Sequence, residues 1–138
     1  MLLLDTNVVS ELRKISSNRA NTQVAAWALR TPGEQTFISV VTIFELERGV
    51  LLVERRDPSQ GRVLRRWLDN QILAGYHRRI IPFGIRTAQR CASLHVPNPK
   101  PEYDAMIAAT ALEHNLTIVT RNVKDFEEMG ITLLNPWE

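Results

Sequence analysis

Five short apolar runs alternate with segments of helical period, and that order leaves few folds open. The runs are Leu2–Leu4, Gln35–Val40, Arg79–Pro82, Thr117–Thr120 and Ile131–Leu134, and they read as strands. Strands that alternate with helices pair in parallel, because each return crosses over a face of the sheet. The expectation is therefore an α/β fold with a mainly parallel sheet covered on both faces. The 138 residues fit one domain spanning 1–138, with no internal repeat, low-complexity segment or linker to divide it.

Between the runs, the helical segments follow from spacing and from their stops. Asp5 or Thr6 can cap a short helix holding Val8, Val9 and Leu12. Asn18–Asn21 reads as a loop, and a helix from about Asn21 to Arg30 ends at Thr31-Pro32-Gly33. From about Val41 to Val53, the residues Ile43, Leu46, Val50 and Val53 share a face. Arg55–Gly61 is polar and contains Asp57-Pro58, so it reads as a break, and a second long helix runs from Val63 to Leu73. The two make a helical hairpin with a basic loop. Ile85–Leu94 is helical in pattern, with Ala88, Cys91, Ala92 and Leu94 facing inward. Pro97, Pro99 and Pro101 force a loop before the helix that opens at Glu102-Tyr103-Asp104 and stops near His114-Asn115. Val123–Met129 is a short helix with Gly130 as its stop.

Composition excludes several classes. The hydrophobic fraction of 44% and charged fraction of 23% are those of an ordinary soluble domain. No apolar run is long enough for a membrane span, and no basic stretch precedes the first apolar residues as in a signal peptide. The single cysteine, Cys91, excludes an internal disulfide and fits a cytoplasmic location. Net charge is only +2, but arginine supplies 14 of the 17 basic residues, with doublets at Arg55-Arg56, Arg65-Arg66 and Arg78-Arg79. The planar guanidinium fork suits phosphate, and pairing with surface glutamates accounts for such doublets equally well.

The chemistry rests on acids that the topology gathers on one edge. In a parallel sheet, strand carboxyl ends and the helix starts that follow them share a rim, where open α/β folds place their sites. Asp5 follows the first strand, Asp104 opens a helix, and Asn122 and Asp125 follow the fourth strand. Clustered carboxylates repel one another unless a cation lies among them. Oxygen ligands without histidine or cysteine select Mg²⁺ or Mn²⁺, and such ions are a recurrent means of hydrolysing a phosphodiester. His77, His95 and His114 have no metal-ligand spacing. Each acid also has a local explanation: Asp5 as an N-cap, Asp104 and Asp125 as first-turn acids favoured by the helix dipole, Asn122 as a turn residue. The shared edge, rather than any one position, argues for a site. A further acid on the helix after the second strand is either Glu45 or Glu47. Glu47 lies nearer the apolar face, whereas Glu45 shares a side with Thr42, Gly49 and Leu52, and spacing does not choose between them.

Several segments together resemble a known family. Leu3-Leu4-Asp5-Thr6-Asn7-Val8-Val9-Ser10-Glu11, Ser39-Val40-Val41-Thr42-Ile43-Phe44-Glu45-Leu46 with Gly49, Asp104–Ala111, Thr117–Phe126 and the tail Asn135-Pro136-Trp137 are similar to PIN-domain ribonucleases. Within that family the likeness is to the VapC-type toxins, in their FitB-like branch, from end to end. The resemblance implies a PIN-like three-layer sandwich and a metal-dependent endoribonuclease acting with Mg²⁺ or Mn²⁺. By it, Asp5, Glu45, Asp104 and Asp125 are the catalytic acids, with Asp5 and Asp104 as metal ligands. Thr6, Asn7, Ser39, Thr120 and Asn122 are supporting residues, the hydroxyls holding water or a carboxylate. Some relatives carry aspartate where this chain has Asn122, so either Asp125 takes over or one metal position binds more weakly. Metal held by Asp5, Glu45 and Asp104 would lower the pKa of bound water and neutralise charge on the scissile phosphate. The resemblance further implies a cognate antitoxin, an RNA substrate, and a homodimer able to assemble further with antitoxin on operator DNA.

Two other classes stand beside this reading. A DNA nuclease of related fold uses the same metal chemistry, but usually needs extra DNA-gripping segments for which 138 residues leave little room. A non-catalytic regulatory module with a strand-end phosphoacceptor needs an acidic pair and a late lysine in an order absent here. A phosphatase with two aspartates one residue apart is disfavoured because Asn7 stands where the second would be.

Overall fold

The computed structural model describes residues 1–138. Its centre is a five-stranded sheet in the order β3-β2-β1-β4-β5, with every pair parallel. The strands are β1 Leu2–Leu4, β2 Thr36–Ser39, β3 Ile80–Ile81, β4 Thr117–Val119 and β5 Leu133–Leu134. The helices are α1 Thr6–Leu12, α2 Thr22–Arg30, α3 Val40–Arg56, α4 Pro58–Arg66, α5 Ile85–Leu94 and α6 Glu102–His114. The chain winds outward through β2 and β3 on one side of β1, then returns to the other side for β4 and β5. The order reverses at the β1–β4 pair, and the crevice outside the carboxyl ends there is the natural ligand position of such a sheet.

Period-two alternation sorts the core into two layers. Leu3 and Ile118 point to a layer with Ile107, Ala108, Ala111, Phe126 and Met129. Leu4 and Val119 point oppositely, to Val8, Val9, Trp27, Leu46, Val50, Leu68 and Ile72. The alanines at 105, 108, 109 and 111 are fully buried, as expected of small side chains that let α6 lie close to the sheet.

Two regions, the α3–α4 hairpin and α5, differ from the sequence expectation. The polar stretch 55–61 is not a long break. α3 runs to Arg56 and α4 starts at Pro58, so only Asp57 separates them. Asp57 caps α4 by accepting from Gln60 N at 3.2 Å, and proline at the first helical position is pre-set for the turn. The second helix continues through a π-helical turn, Trp67–Leu73. On α5 the inward stripe is Thr87, Cys91 and Leu94, while Ala88 and Ala92 are exposed. Thr87 sets that rotation, since its hydroxyl is bound to Glu113 of α6 and accepts from Gly84 N. The segment Val123–Met129 is the expected short helix, of 3₁₀ type, and Gly130 ends it in the left-handed region at φ 72°.

The α3–α4 hairpin is held by close approach and charge. Arg65 forks onto Glu47 at 2.8 and 2.6 Å and reaches both oxygens of Glu54 at 3.2 Å. The glutamates hold the Arg65 guanidinium even more firmly protonated than usual, and Arg65 holds Glu47 below the ordinary carboxylate range. Above this clamp, a Cβ on Gly61 would stand 2.6 Å from Glu54 Cα and 3.0 Å from Glu54 N. Backbone cannot yield as a flexible side chain does. Gly49, also helical, has nothing within 4 Å of a Cβ built there. Gly61→Ala is therefore expected to cost about 1–3 kcal/mol by overpacking. Gly49→Ala should add about 0.5–1 kcal/mol through lost unfolded-state entropy. Urea unfolding of the two variants checks this, and a Gly61→Ala variant as stable as the parent would refute the close approach.

Candidate active site

Asp5 leaves the carboxyl end of β1 and becomes the N-cap of α1. Its Oδ1 accepts from Thr6 N at 2.8 Å. The β1–β4 register pairs Leu4 with Val119, so Asp5 is level with Thr120. Asp5 N donates to Val119 O at 2.9 Å, and the Thr120 hydroxyl donates to Asp5 Oδ2 at 2.7 Å. Asn7 Nδ2 gives Oδ2 a second donor at 3.2 Å. The same network holds the chain after β4: Asn122 N donates to Thr120 Oγ1, and Arg121 N to Asn7 Oδ1. The capping and site readings of Asp5 are thus one geometry.

Glu45 and Glu47 part company. Glu47 is committed to Arg65, whereas Glu45 turns to the edge, where the Thr6 hydroxyl donates to its Oε1 at 2.7 Å. Thr6 Oγ1 also lies 3.1 Å from Thr42 Oγ1, and Thr42 is completely buried. Since the Thr6 proton is used on Glu45, Thr42 supplies its own to Thr6, and a hydroxyl chain runs Thr42 to Thr6 to Glu45. Sequence reasoning did not single out Thr42. Its signal was there, one turn before Glu45 on the same helix side.

Asp104 lies in the first turn of α6 and is half-buried. Burial raises its pKa to about 6, with further increments from the charges of Asp5, Asp125 and Glu45. Asp5 is raised too, chiefly by burial and in small part by Asp125, against the lowering effect of its hydrogen bonds. Asp104 therefore feels the charge of acids from three distant parts of the chain at one edge. Asp125 is exposed in the first turn of the 3₁₀ segment, and its N–H donates to Asn122 O at 3.1 Å. The Asn122 side chain makes no capping bond and is exposed. Ser39, level with Asp5 across β1–β2, is buried and caps α3 by accepting from Val41 N at 2.8 Å, so its hydroxyl serves local capping.

No three carboxylates are already drawn into a ligand cage. The donor set nevertheless suits a hard divalent cation, all oxygen with mutual repulsion to relieve, because Mg²⁺ keeps several waters and needs only one or two carboxylates. Asp5 and Asp104 are the acids whose ionisation is most suppressed, and so the ones an ion would relieve most. The histidines are elsewhere, with His95 Nδ1 accepting from Lys100 N. A surface groove of about 790 Å³ beside α1 and α4 contains none of the acids and is lined by Leu12, Arg13, Leu64, Arg66, Trp67 and Tyr76. No helix is long and apolar enough to cross a membrane.

Comparison with known proteins gives the family and the fold. The family model described as PIN domain matches residues 2–131. The chain is 33% identical to a VapC ribonuclease, Y4jK, of Sinorhizobium fredii, over all of this chain and 99% of the relative. It is 35% identical to the toxin FitB of Neisseria gonorrhoeae over 99% of each chain. The solved structure of FitAB bound to an IR36 DNA fragment superposes with a TM-score of 0.89 at 31% identity, covering 100% of this chain and 96% of the other.

The Asp104 shift has a sign that can be measured. Its folded-state pKa, about 6, lies above the ordinary value of 3.8, so the folded protein binds the extra proton between those limits. Stability contributed by this group is therefore present at low pH and lost as pH rises through 6. In metal-free buffer at pH 7.5, Asp104→Asn should raise Tm by about 2–5 °C, and the gain should vanish near pH 4. A variant that melts with the parent at both pH values would mean that Asp104 does not feel its neighbours.

Proposed function

The chain belongs to the PIN-domain family, and on that footing we propose that it is a metal-dependent endoribonuclease toxin held in check by a cognate antitoxin. The observation that carries this reading is Asp104, whose carboxyl is raised to about 6 by burial and by Asp5, Asp125 and Glu45 together. Acids so arranged are poor on their own and suited to a cation. Mg²⁺ or Mn²⁺ bound at Asp5 and Asp104 would neutralise charge on the scissile phosphate and acidify the attacking water. The chain's own residues prepare the rest. Thr6 N, Asn7 Nδ2 and Thr120 Oγ1 fix the Asp5 carboxylate through three donors. Thr42 and Thr6 orient Glu45, and Asp125 stands at the outer rim with Asn122. By the family's chemistry the attack of water expels the 3′ oxygen, so the products carry a 5′-phosphate and a 3′-hydroxyl.

The substrate and partner readings rest on relatives. One carries the name ribonuclease and another the name toxin, each over nearly the whole chain. The toxin FitB is also solved, as FitAB bound to a DNA fragment. By extension, this chain has a small antitoxin partner that covers the acidic edge, forms a homodimer and assembles with the antitoxin on operator DNA.

Purified protein with Mg²⁺ or Mn²⁺ is expected to cut single-stranded RNA, and EDTA should stop it. Asp5→Asn or Asp104→Asn should lower the rate about 10²–10³-fold. Cleavage persisting in both variants would rule out this site, and faster cleavage of a matched DNA strand would favour the DNA nuclease. In cells, expression of the chain alone should arrest growth and co-expression of its antitoxin should restore it. Normal growth with verified folded protein would count against toxicity.

A further inference from the structure

Two arginines flank the acid edge, and both are held over aromatic rings with no carboxylate within 4 Å. Arg48 lies one turn after Glu45 on α3, with its guanidinium carbon 5.2 Å from the Phe44 ring centroid and 5.5 Å from that of Tyr103, the residue preceding Asp104. Phe44 and Tyr103 themselves pack tilted, with centroids 5.8 Å apart. Arg121 directly follows Thr120, and its guanidinium carbon is 5.4 Å from the Trp137 ring centroid. Its backbone N–H is fixed by Asn7 Oδ1, and Trp137 N is fixed by Asn135 Oδ1. α3 follows β2 and Arg121 follows β4, so the two lie on opposite sides of β1 and Asp5.

Two other arginines are spent internally. Arg65 is consumed by Glu47 and Glu54, and Arg79 by the carbonyls of Gly33, Thr36 and Gly75. Arg48 and Arg121 are exposed, and neither has a carboxylate within 4 Å. Arg48 gives one bond, to the Tyr103 hydroxyl, and the Arg121 side chain gives none. Stacking fixes the plane of a guanidinium and leaves its N–H edge free, the disposition needed to grip a phosphate with little further loss of side-chain entropy. Phe44, 52% exposed beside Arg48, adds a face on which a base can stack.

We propose that Arg48 and Arg121 are the paired phosphate contacts of a single-stranded RNA, gripping the strand on either side of the bond presented to the acids. The proposal rests on the ribonuclease reading above, and names which arginines hold the substrate. Trp137 is a positioning residue for Arg121, which gives the tail a role at the site.

The test is the salt dependence of RNA binding. The parent carrying Asp104→Asn, in EDTA, is titrated against a labelled single-stranded RNA from about 20 to 300 mM NaCl. Each phosphate contact to a single strand contributes about 0.7 to the slope of log K against log salt. Arg48→Ala and Arg121→Ala should each flatten the slope by about 0.7, both together by about 1.4, and each should weaken binding about tenfold at low salt. Arg121→Lys should keep the slope, and Trp137→Ala should weaken binding with the slope retained. Arg86→Ala, an exposed arginine on α5, is the control and should change nothing. Unchanged slopes in both arginine variants overturn the proposal, as does absence of measurable RNA binding by the parent. A parent that cuts RNA with Mg²⁺ while these slopes stay put leaves the ribonuclease reading standing and removes only this pair. A loss of binding explained by dissociation of an oligomer, seen by light scattering, also overturns it.

Discussion

The hydrogen bond from Thr120 to Asp5 joins two residues 115 positions apart and closes the carboxyl ends of the two central strands. It depends on the β1–β4 register, which pairs Leu4 with Val119. A slip of one residue would reverse every side chain on β1, moving Leu3 and Leu4 to the wrong layers and taking Asp5 off the edge. Burial of Leu3, Leu4, Ile118 and Val119, all completely enclosed, is what forbids that slip. The position of the acids is therefore enforced by the hydrophobic sorting of the residues just before them. The small residues of α6 extend the same dependence, since close packing of that helix sets where Asp104 enters the rim.

Much of this was legible in the sequence. Apolar runs alternating with helical spacing gave the strand order its parallel sense, and the elements lie close to where spacing put them. The convergence of Asp5, Asp104 and Asp125 followed from topology alone, because strand ends and helix starts share one edge of a parallel sheet. Thr120, Asn7 and Thr6 stand out by likeness to a family, and the fold adds their hydrogen bonds to Asp5 and Glu45.

What was not legible depended on partners distant in sequence. Glu45 and Glu47 are two residues apart on one helix, and spacing on α3 does not say which meets the edge; only the likeness to a family named Glu45. The choice is made by Arg65, on the next helix, which claims Glu47. That claim in turn requires α4 to restart directly after Asp57, whereas a polar stretch containing Asp57-Pro58 suggested an open loop. The inward face of α5 was misread for a related reason. Alanine is nearly indifferent to burial, so Ala88 and Ala92 gave way to Thr87, whose hydroxyl is satisfied by a glutamate on another helix. The arginine doublets divide in the same way, with Arg65 and Arg79 structural and their immediate neighbours free of carboxylates.

Asp5 is both the start of a helix and a member of the acid cluster, and the two duties use different oxygens: Oδ1 takes the α1 backbone N–H, and Oδ2 takes Thr120 and Asn7. The choice of replacement therefore decides what a mutant reports. Asparagine is as good an N-cap as aspartate: its carbonyl can keep the Thr6 N–H while the charge is lost, and its amide takes the place of Oδ2, so the Thr120 hydroxyl turns from donating to accepting. Alanine removes the cap as well, at about 0.5–2 kcal/mol, and leaves the buried Thr120 hydroxyl without its acceptor. An inactive alanine variant would mix a folding defect with a chemical one, whereas an inactive asparagine variant that melts like the parent speaks to chemistry alone.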